Sequence, residues 1–96
     1  MFNLQKISLN LLLIIFLVNI FFVFPSYSLT TREDFFKNAL DLTSNGNFNL
    51  ALEEWNNYLE IYPKDASALS NRGNVKLIIG DSEGAINDQD EAIKLD

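Results

Sequence analysis

The chain has no cysteine and no histidine. Without cysteine there is no disulfide, no thiolate nucleophile and no cysteine-ligated metal. Without histidine the commonest general base and the commonest zinc ligand are both missing. The lack of cysteine leaves the redox compartment open. Proline is scarce: Pro25 and Pro63 each fall where a helical pattern stops. Basic side chains are also few. Lys6 is the one charged side chain of the first 28 residues, and Leu29 to Asp96 carries six basic against thirteen acidic residues, a net charge of −7. A polyphosphate backbone rewards clustered Lys and Arg, and no basic patch is present, so nucleic acid is not an expected partner. Nucleophile elbow, catalytic triad and pocketed carboxylate pair are absent too. Asp88, Asp90 and Glu91 lack the alternating oxygen ligands and central glycine of a calcium loop. No enzymatic activity, cofactor or metal is therefore expected.

The first 28 residues differ from the rest, so the overall hydrophobic share of 48% blends two materials. Met1 to Lys6 is short and weakly basic, Leu11 to Phe24 is apolar apart from Asn19, and Pro25 then precedes Ser26-Tyr27-Ser28. This is the order of a secretory signal, with small residues at the first and third places before a cut after Ser28. The rival is a retained membrane anchor. Ile7 to Phe24 would make a helix ~27 Å long, near the ~30 Å of a bilayer core, with Lys6 held inside. A buried soluble helix is the third reading. It fits poorly, because a helix apolar all round needs protein on every side. Residues 1–28 are thus expected to be a signal peptide or membrane anchor, and 29–96 a domain beyond the membrane.

That domain repeats at a spacing of 34 residues. Ala39 returns as Gly73, Gly46 as Gly80, Asn47 as Asp81, Ala51 as Ala85 and Leu59 as Ile93. Such a period marks a two-helix solenoid unit, with repeats over about 32–65 and 66–96. The fold class is all-α, four helices in two antiparallel pairs joined by short loops. Thr30 with Glu33 reads as a capping box opening the first helix, whose stripe is Phe35, Phe36, Ala39, Leu40 and Leu42. Gly46 ends it. Asn47 caps the second helix, where Phe48, Ala51, Leu52, Trp55, Tyr58, Leu59 and Tyr62 recur at helical steps, up to Pro63. Asp65 caps the third, lined by Ala66, Leu69, Gly73 and Leu77 as far as Gly80. Asp81 caps the fourth, where Ala85, Ile86, Ala92, Ile93 and Leu95 are expected to face inward. Small residues at 39, 51, 73 and 85 let paired helices approach closely.

At these positions the chain resembles the tetratricopeptide repeat family. The stretch NRGNVKLIIGDSEGAINDQDEAIKLD matches the family's second repeat, and Ala51, Trp55 and Pro63 match its small, aromatic and proline places in the first. Gln89 stands where Trp55 does, Ser82 where Phe48 does, and Arg72 and Lys76 replace apolar or aromatic residues of the family. The resemblance implies a non-catalytic module that binds a protein or peptide on its inner surface. Carried onto this sequence, that surface is Glu33, Phe36, Leu40 and Thr43, followed by Ser67, Ser70, Asn74 and Leu77. Asn74 is the sharpest candidate, since its amide can pair with a peptide backbone. A carboxylate clamp of the kind that grips chaperone C-termini is disfavoured, because Phe36 and Ser70 occupy places where it needs charge or amide. Trp55, Tyr58 and Tyr62 read as core rather than as a binding box. The second repeat also resembles versions frequent in cyanobacteria and plastids, and twelve asparagines fit an AT-rich genome. By that analogy the location is a periplasm or thylakoid lumen.

Two repeats leave the stripe of the fourth helix open. The natural chain continuing past Asp96, a partner, or self-association through a second copy would cover it. The expected role is an exported or membrane-tethered protein-interaction scaffold. The alternatives are the N-terminal structural fragment of a longer repeat protein, or a membrane-anchored assembly factor.

Overall fold

The computed structural model describes Asn10, Leu11, Leu13, Ile14 and residues 30–96. The signal or anchor reading falls almost wholly outside these. Among the described residues no helix is long and apolar enough to cross a membrane. From Arg32 the chain forms four helices and no strand: α1 (Arg32–Ser44), α2 (Phe48–Ile61), α3 (Ala66–Ile78) and α4 (Ser82–Leu95).

The helix ends show why the chain breaks where it does. The box that opens α1 lies one residue later than expected: Thr31 Oγ1 accepts from the Asp34 N–H at 3.1 Å, and the Thr31 N–H donates to Asp34 Oδ2 at 3.2 Å. Thr30 and Glu33 play no part in it. Asp34 can close the box because its short carboxylate still reaches back one turn. α1 ends in a Schellman motif, with Gly46 donating to the Thr43 carbonyl and Asn47 to that of Leu42. Gly46 takes φ +79° to do so. The same motif recurs at Gly80, φ +94°, where Gly80 donates to Leu77 and Asp81 to Lys76. Asp65 and Asp81 cap α3 and α4 through Ala68 and Gly84 N–H groups. Asn47 precedes α2 but its side chain makes no cap bond.

Successive helices pack side by side, α3 and α4 most extensively. Ala39, Ala51, Trp55, Ala68 and Val75 are fully buried. At the α3–α4 seam a Cβ on Gly73 would lie 3.2 Å from the Ala85 carbonyl oxygen, so the helices are as close as the small residues suggested. Among the described residues aromatic stacking is confined to the first pair. Phe36 meets Trp55 edge-on at 5.0 Å and Tyr58 at 5.5 Å. The Trp55 indole N–H donates to Thr43 Oγ1 at 3.0 Å, which assigns Thr43 to holding the core.

The expected inward stripe of α4 is only half present. Ala85 and Ala92 are buried, whereas Ile86 is 60% and Ile93 71% exposed, and Leu95 is exposed as well. Leu77 of α3 is exposed too. Among the described residues α2 lies between α1 and α3, whereas α4 packs on α3 alone, so its second apolar flank meets no described helix.

Candidate functional site

The inner-surface residues fall into separate shallow clefts rather than one pocket. Glu33 and Phe36 line a cleft of about 330 Å³ with Arg32 and Tyr58. Ser70 and Ser67 line a second of about 360 Å³, with Ala66, Asn71, Gln89, Ala92, Ile93 and Asp96. Asn74 and Leu77 line a third of about 250 Å³, with Gly73, Ser82, Ala85, Ile86, Gln89 and Asp90. Leu40 lines none of these three and is exposed. Phe36 is half-buried, its ring held by Trp55 and Tyr58.

Gln89 joins the second and third clefts. Its Nε2 donates to the Ser70 carbonyl and to Asn74 Oδ1, each at 3.1 Å. Its Oε1 accepts from the Ser70 hydroxyl at 3.2 Å. The amide therefore staples α3 to α4 where Trp55 fills the equivalent place by bulk. Asn74 has its carbonyl oxygen engaged in this way and is exposed. Among the described residues its amide N–H groups have no partner and can serve an incoming acceptor.

Two charged clusters flank the clefts. Asp88, only 5% exposed, accepts from Arg72 through both carboxylate oxygens and lies 2.9 Å from Lys76 Nζ. Arg72 also donates to Asn56 Oδ1 of α2 at 3.2 Å, so it ties both repeats together. Burial alone would push the Asp88 carboxyl up, but the bonds from Arg72 and Lys76 outweigh it and hold it below the usual range. Arg32 forms the other cluster. It donates to Tyr58 Oη at 2.9 Å and to Asp65 Oδ2 at 2.8 Å, with its guanidinium 4.4 Å from the Tyr62 ring centroid. Tyr58 donates to the same Asp65 oxygen at 2.6 Å. Burial first, then the bond to Asp65, raises the Tyr58 phenol. Burial works against the Asp65 charge, yet the Tyr58 and Arg32 bonds keep its carboxyl low.

Neither cluster was expected as such. Arg72 and Lys76 stand out in the sequence as departures from the family pattern, and Asp88 only as part of an acidic group without the pattern of a calcium loop. The signal was available in the hairpin register. About a turn near Gly80, positions 72 and 76 lie across the seam from 88, and their charges are opposite. Among the described residues no group of three acidic side chains converges on a metal site.

No protein-family model matches the chain. A stretch of 50 residues is 38% identical to "Tetratricopeptide repeat protein 36" of zebrafish (Danio rerio), covering 52% of this chain. The chain spans 27% of that protein's length. With the four-helix architecture, this local similarity supports a tetratricopeptide-like helical repeat.

Proposed function

We propose that the chain is an exported or membrane-tethered scaffold that binds a protein or peptide on the surface shared by α1 and α3. The observation that carries this reading is the exposure of Leu40, Asn74 and Leu77 beside the half-buried Phe36 and Ser70, on hairpins otherwise closed by their own hydrogen bonds. Apolar side chains in shallow clefts with a free amide donor suit an extended or helical peptide. Glu33 at one end and a net charge of −7 from Leu29 onward favour a basic partner. The local similarity to a tetratricopeptide repeat protein supports a binding role without catalysis. Export rests on the order of residues 1–28: short basic start, apolar run, Pro25, then small residues. A periplasm or thylakoid lumen is the location proposed.

Affinity capture on the full-length chain tests the surface. Phe36→Ala and Asn74→Ala, each checked for retained helicity, are expected to reduce recovery of the same partner. Unchanged recovery with both would remove the assignment. Mass spectrometry of the mature N-terminus tests export separately, with cleavage after Ser28 as the expected result.

A further inference from the structure

Twelve asparagines stand in the chain, and Asn45 is the single one followed by glycine. That pairing matters because the next backbone nitrogen can attack a side-chain amide carbon, and any side chain on that next residue hinders the approach. Asn45 lies at the C-cap of α1 and is exposed. Beyond it Gly46 takes φ +79°, and the place where a Cβ would stand has nothing within 4 Å. The second hairpin makes the same turn at Gly80, but Ile79 stands in the place of Asn45 and has no amide to lose. The α1–α2 connection is therefore the chemically weaker of two like-shaped turns.

We propose that Asn45 is a site of spontaneous deamidation, and that the fold of the α1–α2 turn sets its rate. The reaction needs only water. The Gly46 backbone nitrogen, losing its proton, bonds to Asn45 Cγ; the Cγ–Nδ2 bond breaks and ammonia leaves with that proton. Water then opens the five-membered imide. Breaking the new Cγ–N bond leaves aspartate at position 45. Breaking the old backbone C–N bond leaves isoaspartate, with one extra carbon in the main chain. The folded turn holds the reacting atoms apart. Ring closure needs the Gly46 nitrogen eclipsed with Cβ, a ψ about 120° away from the −2° of Asn45. The Gly46 N–H is also held by the Thr43 carbonyl at 3.1 Å, and the Asn47 N–H by that of Leu42 at 2.9 Å. These bonds must give way first, so the reaction goes through a locally opened turn. Both products then work against reclosure. Each adds a negative charge at the negative end of α1, one helical turn beyond Asp41. Isoaspartate also lengthens the main chain between the bonded groups and shifts Gly46 and Asn47 from their carbonyls.

The test incubates the full-length chain in mild detergent micelles at neutral pH, with and without urea, and follows it by peptide mass spectrometry. Fragmentation that separates aspartate from isoaspartate is expected to find both at position 45 before any other asparagine changes. In urea that unfolds the helices the rate is expected to rise at least about tenfold, because reaction no longer waits for opening. In the isoaspartate-bearing fraction the amides of Gly46 and Asn47 are expected to lose hydrogen-exchange protection, while those of Gly80 and Asp81 keep theirs. Ile79→Asn, at an exposed position, is expected to make the second turn react as the first does. Earlier change at another asparagine would overturn the site, as would an intact Asn45 once the unfolded chain has converted fully. Equal rates in the folded and unfolded chain would overturn control by the turn. An Ile79→Asn chain that stays intact at position 79 would show that an Asn-Gly pair on this turn is not sufficient, and would overturn the proposal too.

Discussion

Arg72 and Asp88 form two parallel hydrogen bonds across the α3–α4 seam, 2.8 Å from Nε to Oδ2 and 2.7 Å from Nη2 to Oδ1. Arg72 and Lys76 stand where the family that the chain resembles carries apolar or aromatic residues, and Lys76 completes the cluster from the same helix as Arg72. Arg72 and Lys76 side chains are only 20% and 17% exposed. Asp88→Ala would leave both cations poorly solvated, and is expected to lower unfolding free energy by about 3–5 kcal/mol. Replacing all three by Leu removes the desolvation cost together with the attraction. That triple variant is expected to lie within about 1 kcal/mol of the parent or above it. Urea unfolding followed by circular dichroism compares the two.

Acid sensitivity follows from the same group. The folded pKa values of Asp88 and Asp65 lie below the ordinary 3.8. Their contribution is therefore complete above that value and is lost as pH falls through the lower folded values. Thermal midpoints are expected to be flat from pH 6 to 8 and to drop below about pH 4. Asp88→Asn should flatten that acid limb. Tyr58 acts at the other extreme. Its raised phenol contributes below the ordinary 10.0, and this is lost as pH climbs through the folded value. A midpoint that falls between pH 8 and 6 would contradict this account.

Gly73 is helical, and in an open helix Gly→Ala gains about 1 kcal/mol. Here the new methyl would press on the Ala85 carbonyl at 3.2 Å and Gln89 Nε2 at 3.0 Å. The Gln89 amide can shift but the α4 backbone cannot do so without opening the seam. Gly73→Ala is therefore expected to destabilise by about 1–2 kcal/mol. Chemical denaturation checks the sign, and a stabilised variant would show the seam to be looser than described.

Trp55 and Gln89 occupy equivalent positions but do different work. Trp55→Ala empties a fully buried site, at an expected cost of about 3–5 kcal/mol. Gln89→Ala removes a partly exposed staple, at about 1 kcal/mol. Equal costs, measured by urea unfolding under circular dichroism, would show that the two repeats are held in the same way.

The sequence made some features legible because each depends on a few neighbouring residues. Gly46 and Gly80 mark helix ends since the left-handed turn needs them, and Asp65 and Asp81 cap through their own side chains. Ala39, Ala51, Gly73 and Ala85 declared the seams by size. The start of α1 was less certain, because Thr30-Glu33 and Thr31-Asp34 offer two overlapping boxes. The inward placing of Ile86, Ile93 and Leu95 failed for a nonlocal reason. An apolar stripe shows which side of a helix avoids water, but not whether another helix stands there. The arginine bonds of the Arg32–Tyr58–Asp65 and Arg72–Asp88 clusters join residues 16 to 33 apart. Reading them required the inter-helix register, which pattern along one helix does not carry. At the candidate site the family resemblance pointed to Asn74 and Ser70 on α3. It did not show that Gln89 already holds both.

From Ala66 to Asp96 there is no aromatic residue, and the chain's only tryptophan lies in α2. Indole fluorescence therefore watches the first hairpin alone, while the second contributes only backbone signal. Should the outer hairpin fray first, ellipticity at 222 nm would fall before the emission of Trp55 moves. The protein thus carries a built-in spectroscopic label that separates partial melting from complete collapse without any added probe.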